Sequence, residues 1–308
     1  MTGRSRTPGP ATVVLAAVVG QGVGNSVVGN SVTPRLSVCV VFIAFALAAI
    51  VGCITRACGQ SSTGRASRRD VFLINVYSAG AFGLFYVSTT MALPTAMTVV
   101  ETSMAPVVLG LMALSRTRTG RRRHSALAAY VIAVGSAMVV AVVADSHRGD
   151  AILGCTMAAI AGGCALGVLT TTTRMTRHGA TTAYVNSVRF HGCWATAAAL
   201  LVARPGGVPT DLHAGVALVL TSALCVTVPI VALQYGIARA PIHVSAGLIS
   251  ALPAVVLATD AGFGAADILA TGPVAAATVA SVLATRAQLR TRREEPGRPR
   301  VDDSAGSR

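Results

Sequence analysis

The chain has no lysine, a single tryptophan, few aromatic residues and little charge, and each shortage excludes something. Without lysine there is no glycine-rich loop ending in the cation that reaches the outer phosphates of a nucleotide, so ATP hydrolysis by this chain is excluded. Acids are few, scattered and mostly placed between apolar runs. The clustered carboxylates, histidine ligands or nucleophile-and-base pairs of a membrane-embedded enzyme are therefore missing, and no enzymatic activity is expected. Seven cysteines (Cys39, Cys53, Cys58, Cys155, Cys164, Cys193 and Cys225) form no CxxC pair and no His/Cys cluster at ligand spacing. They read as small packing residues, with no metal and no cofactor. Aromatics at 4%, with Trp194 alone among tryptophans, disfavour a cage for large planar cations. Charged residues at 12% and a mean hydropathy of +0.66 over 308 residues are too apolar for a water-soluble domain of this size. The solvent of this chain is the bilayer.

What is present is a series of long apolar runs. A spanning helix needs about 20 mostly apolar residues, and the sequence divides into runs near 12–30, 36–54, 71–91, 95–114, 125–144, 151–171, 183–203, 215–236, 242–260 and 268–285. Backbone polar groups in lipid must be satisfied within their own segment, and the alternation of a barrel strand is absent, so each run is predicted helical. Arg4 and Arg6 ahead of the first run imitate a signal peptide, but Gln21, Asn25 and Asn30 interrupt that run and no small-residue cleavage site precedes a soluble domain.

The formal net charge of +14 would suggest a nucleic-acid partner in a soluble protein. Here the arginines alternate between connections instead. They occupy the second (Arg56, Arg65, Arg68, Arg69), the fourth (Arg116, Arg118, Arg121, Arg122, Arg123), the sixth (Arg174, Arg177) and the C-terminal tail (Arg286, Arg290, Arg292, Arg293). The fifth, seventh and ninth connections are poor in positive charge. Positive charge is retained on the cytoplasmic side, which predicts both termini in the cytoplasm of a cell whose inner membrane holds the protein, with no nucleic acid as partner.

An internal repeat runs through this series. Pro94 and Pro106 are spaced like Pro241 and Pro253, with Thr98 matching Ser245 and Ser103 matching Ser250 at the same offset. Arg35-Leu36 likewise corresponds to Arg189-Phe190, each pair followed by a cysteine and an Ala/Leu run. The predicted fold class is an all-α membrane protein of ten transmembrane helices in two inverted five-helix repeats. Residues 1–11 form a cytoplasmic tail, 12–144 the first repeat, 151–285 the second, and 286–308 a basic tail expected to be disordered. In inverted repeats the solute site lies near the midplane, at the interface of the halves.

The run Ser88-Thr89-Thr90-Met91-Ala92-Leu93 before the Pro106 helix, repeated as Gly236-Ile237-Ala238-Arg239-Ala240 before the Pro253 helix, resembles the EamA-type branch of the drug/metabolite transporter superfamily. So do the arginine-plus-apolar starts of the second and seventh spans. The resemblance covers nearly the whole chain and implies a ten-helix carrier that exports metabolites or drugs, driven by the proton gradient or by exchange. The family commonly has a Gly-Glu pair where the proline-bearing helix ends. This chain has Ser115-Arg116 and Gly264-Ala265-Ala266-Asp267 there, so the role attached to that glutamate does not carry over.

Glu101 is the sharpest chemical feature: a carboxylate in mid-span among Val99, Val100, Met104 and Ala105. An ionised group at that depth costs roughly 3 kcal/mol or more and usually faces an internal cavity. It reads as a proton or amine site, or as a protonated carboxyl bonded within the bundle. Pro106 and Pro253 each remove a backbone hydrogen bond and are expected to bend their helices, freeing a carbonyl one turn earlier. Gln21 and Asn25 share one helical face, Asn75, Ser78, Phe82 and Tyr86 share another, and Gln234-Tyr235 end the eighth span. In lipid such groups turn inward, to bond neighbouring helices or to touch solute. Arg189, about a turn and a half into its span, is expected to snorkel to the cytoplasmic surface, the alternative being a counter-ion for an anionic solute or for Glu101. Gly163 and Gly167 are spaced for close helix approach.

The expected activity is export of a small metabolite or drug-like solute by alternating access, with protons as the candidate coupling ion, by a monomer or homodimer. The alternatives are a non-transporting membrane scaffold or partner subunit, and an exchanger of an anionic solute held by Arg189.

Overall fold

The computed structural model describes residues 9–59, 66–116, 148–203, 211–237 and 251–259, together with 131, 134–135, 137–139, 141–142 and 248–249. Among the described residues the chain is helical with no strand. The helices are α1 (Pro10–Ser31), α2 (Pro34–Cys58), α3 (Arg68–Ser88), α4 (Pro94–Arg116), α5 (Arg148–Arg177), α6 (Thr182–Arg189), α7 (His191–Ala203), α8 (Leu212–Ile237) and α9 (Leu252–Thr259). Among the described residues, five stretches are long and apolar enough to cross a membrane: α1, α2, α3, Gly149–Arg177 of α5, and α8. The expected tenth run at 268–285, most of the fifth at 125–144, and both expected tails, save Gly9, Pro10 and Ala11, lie outside the described residues.

Local chemistry sets the helix ends. Proline opens α1, α2 and α4, where its missing N–H is no loss. Thr33, Ser67, Thr181 and Asp211 each accept from a backbone amide in the first turn of α2, α3, α6 and α8. Between α5 and α6 the chain reverses on Gly179, whose φ of 85° suits only glycine without strain. Ala180 N–H donates to Met175 O at 3.1 Å and Gly179 N–H to Thr176 O at 3.0 Å, the paired bonds of a Schellman turn. Arg174 in the last turn of α5 pairs with Asp70 in the first turn of α3, fastening the two helices at this end.

Two helices widen into π turns, at Ala79–Leu84 of α3 and Ser222–Thr227 of α8. The second is tied to its neighbour: Thr227 Oγ1 donates to Ala44 O of α2 at 2.9 Å. The run expected as one helix at 183–203 is broken at Phe190, between α6 and α7. Pro106 lies within an unbroken α4, whereas Pro253 is the second residue of α9 and follows a turn at Ala251. The second proline thus sits in a first turn, where a missing N–H is tolerated, just past the turn that parts it from the helical residues 248–249.

Packing inverts the pattern of a water-soluble protein. Leu15, Val19, Val23 and Val27 form an exposed stripe on α1, and Ile50, Ile54, Phe72, Ile160, Leu220 and Leu224 are exposed on other helices. Buried positions meanwhile include Asn25, Ser26, Ser37, Ser78, Thr98, Ser103 and Arg189. Apolar groups outside and small polar groups inside suit lipid as the surrounding medium. Helix α1 packs on α8 and α9, α2 on α6, α7 and α8, α3 and α4 both on α5, and α9 against α4.

Candidate functional site

Two polar regions occupy the interior. The first lies where α1, α3, α4 and α8 converge. Asn25 on α1 is fully buried, and neither its carbonyl oxygen nor its amide nitrogen has a hydrogen-bond partner. The hydroxyl of Tyr86 on α3 is also buried and unpartnered, within electrostatic reach of Glu101 on α4 and Cys225 on α8. Ser103, two residues after Glu101, is a further buried hydroxyl without a partner. Leaving one such group unpaired costs about 1–3 kcal/mol, so several together mark a place built to receive water, a proton or solute.

Close backbone approach brings these helices together. Gly24 lies against the carbonyl of Cys225, with no room for a Cβ. Across α4 and α5, Gly162 lies against the carbonyl of Glu101 in the same way, while Gly163 has nothing near it. The close approach expected of Gly163 is thus made by its neighbour, with Gly167 seated on the ring of Tyr77. Glu101 itself is half-buried.

The second region is the break between α6 and α7. Asn75 of α3 spans it. Its amide nitrogen donates to Val71 O at 2.8 Å and to Val188 O at 2.7 Å, and its oxygen accepts from Gly192 N–H at 2.7 Å. One side chain thereby satisfies a carbonyl before the break and an amide after it. His191 closes the other side. Its Nδ1 accepts from Trp194 Nε1–H at 3.1 Å, which places the ring proton on Nε2, donating to Ser187 O at 2.9 Å.

Arg189 is enclosed by this frame. Its residue is 1% exposed, and its guanidinium lies 4.7 Å from the ring centre of Phe190 and 5.6 Å from that of Phe82. Phe45 joins both rings, at 4.8 Å from Phe82 and 5.5 Å from Phe190. Snorkelling to the surface is therefore corrected: the side chain turns inward, where two aromatic faces offset part of the loss of hydration. Arg189 and Glu101 are not paired with each other among the described residues.

Of the residues expected to form one site, Tyr86 and Glu101 interact electrostatically, and Asn25 lies on α1, which packs against both of their helices. Gln21 and Gln234 are half-buried, and Tyr235 is 51% exposed on the outer face of α8. Asn75 uses its amide in bonding helices. Sequence reasoning missed Phe45 as the ring that joins Phe82 and Phe190, and Cys225 as a neighbour of Tyr86. These residues are scattered along the chain, and the face carrying Phe82 and the Arg189-Phe190 pair were the signals on offer. A cavity of about 260 Å³ lies beside the π turn of α3, bounded by Val38, Gly80, Gly83, Val87 and Cys193. Its lining is nearly all apolar and includes none of the expected site residues.

Neither the protein-family models nor the curated proteins include a match to this chain. A solved structure described only as "Crystal structure of protein" aligns with 90% of this chain and 98% of its own, at a TM-score of 0.59 and 15% sequence identity. At that identity the likeness bears on fold alone, and its description names no activity.

Proposed function

We propose that the chain is a secondary transporter of the inner membrane that moves a small solute outward by alternating access. Its ten spans form two inverted five-helix halves with both termini cytoplasmic. The observation that carries the reading is the set of buried, unpaired polar atoms on Asn25, Tyr86 and Ser103, on three helices packed against one another, with Tyr86 in electrostatic reach of Glu101 and the outer faces apolar. A scaffold subunit has no reason to retain such costly groups. The repeat gains support from two matching features. The π turns fall in the third helix of each proposed half, and the proline-bearing helices α4 and α9 pack against each other.

In this mechanism Glu101 exchanges a proton for solute. Deprotonated, it draws a cationic or hydrogen-bonding solute group to Asn25 and Tyr86. Protonated, it releases that group, and the neutral carboxyl lets the halves close with little desolvation penalty. The π turns are the places where α3 and α8 change pitch, since widened turns leave backbone carbonyls free to trade partners.

The test begins with metabolite profiles of cells with and without the protein, followed by uptake of each hit into proteoliposomes under an imposed pH gradient. Glu101→Gln is expected to reduce gradient-driven uptake at least tenfold while leaving the protein folded. Uptake at the wild-type rate with unchanged pH dependence would refute the coupling. Identical profiles with and without the protein would favour the scaffold.

A further inference from the structure

We infer that the break between α6 and α7 is a binding site for a small organic carboxylate, held by the guanidinium of Arg189. The inference rests on the proposed alternating access, because Arg189 is sealed at 1% exposure and ligand reaches it only when α2, α3 and α6–α7 part.

Charge balance is the first reason. Among the described residues, the elements packed around Arg189 supply no anion. Helices α2, α6 and α7 contain no acidic residue, and Asp70, the one acid of α3, is taken by Arg174. Glu101 belongs to the other polar region. A buried arginine facing only rings is incompletely compensated, and its Nε–H has no acceptor.

Geometry supplies the second. The two side chains that frame the break are already committed, Asn75 to Val71, Val188 and Gly192, and His191 to Ser187 and Trp194, while Asn186 Oδ1 on α6 and Ser78 Oγ on α3 are buried without a partner. That frame fixes the backbone from which Arg189 projects and leaves the Nε–H of its planar fork as the unmatched cationic donor. A fork with a free Nε–H matches the edge of a planar oxyanion, which takes Nε–H and Nη–H together. The surrounding rings of Phe45, Phe82 and Phe190 select within that class. A monoanion with an apolar body fits them, whereas a phosphate dianion would bring a second charge that nothing there neutralises.

The experiment is equilibrium dialysis of radiolabelled benzoate against the purified full-length protein in detergent. Wild type should bind benzoate saturably, with inorganic phosphate failing to displace it. Arg189→Lys should bind at least tenfold more weakly, since an ammonium lacks the fork, and Arg189→Gln should show no saturable binding. Wild-type affinity in a monodisperse Arg189→Gln variant would overturn the inference, as would displacement by phosphate at the concentration effective for unlabelled benzoate. If the Arg189 variants fail to fold, wild type still decides: sodium benzoate must raise its unfolding temperature above that in sodium chloride of equal ionic strength, and no rise refutes the site. Benzoate binding without gradient-driven solute uptake would leave this site standing and sink the transport reading, while uptake without benzoate binding would do the reverse.

Discussion

Two interior asparagines on apolar helices would look alike in a sequence, yet half-buried Asn75 and fully buried Asn25 serve opposite ends. Asn75 makes three hydrogen bonds and holds the break between α6 and α7 together. Asn25 makes none, although it is fully buried between α1 and its neighbours. The region at the break has its backbone frame completed, with the Arg189 cation and the lone Asn186 and Ser78 oxygens left beside it. The second is unfinished, with polar atoms on three helices still lacking partners. A protein that only needed to fold would have completed both, because an unpaired buried group is among the more expensive defects a chain can carry.

The contrast can be broken most sharply at the two asparagines. Asn75→Leu leaves Val188 O and Gly192 N–H unsatisfied and should destabilise the protein by about 2–4 kcal/mol, read as a fall in unfolding temperature in detergent. Asn25→Leu removes an unpaired group of similar volume and should stay within about 1 kcal/mol of wild type, while solute uptake falls. If both variants lose stability equally, the two regions do not differ in kind.

The adjacent glycines of α5 sharpen the comparison next. Gly162→Leu forces a side chain into the carbonyl of Glu101 and should cost about 1–3 kcal/mol, whereas Gly163→Leu points into open space and should stay within about 0.5 kcal/mol. Unfolding of the pair under identical conditions gives the difference directly. Thr227→Val, which removes the tie from the π turn of α8 to Ala44, should cost about 1 kcal/mol. The smallest expected change is in Tyr86→Phe. Its lost hydroxyl has no partner, so stability should move by less than about 0.5 kcal/mol, and the effect should be confined to uptake.

Much of the helical layout is legible in the sequence because lipid imposes it: apolar runs of the right length have few alternatives to a helix. Helices α1, α2, α3, α5 and α8 begin and end within a few residues of the expected runs. Glu101 is legible for the same reason, as a carboxylate where lipid tolerates none without a purpose. The break at Phe190 is not. His191 and Gly192 follow it, but what stabilises it is Asn75, more than a hundred residues earlier and indistinguishable by spacing from the other polar residues of its run. Arg189 is misread for a related reason. A turn and a half from a helix end, a long cation can reach either way, and the choice falls to Phe82 and Phe190, whose positions depend on how α3 and α6 pack. The π turns leave no mark at all, since Ala79–Leu84 and Ser222–Thr227 have compositions any membrane helix could have.

Alternating access requires the unfinished region around Glu101 to open to water during a working cycle. Its most direct test is thiol accessibility in a background lacking the seven native cysteines, comparing Asn25→Cys with Val19→Cys on the exposed apolar stripe of the same helix. A small water-soluble thiol reagent should modify the Asn25→Cys variant in intact membranes and leave the Val19→Cys variant unmodified. An inert Asn25→Cys variant, under conditions where a loop cysteine reacts fully, would contradict the claim.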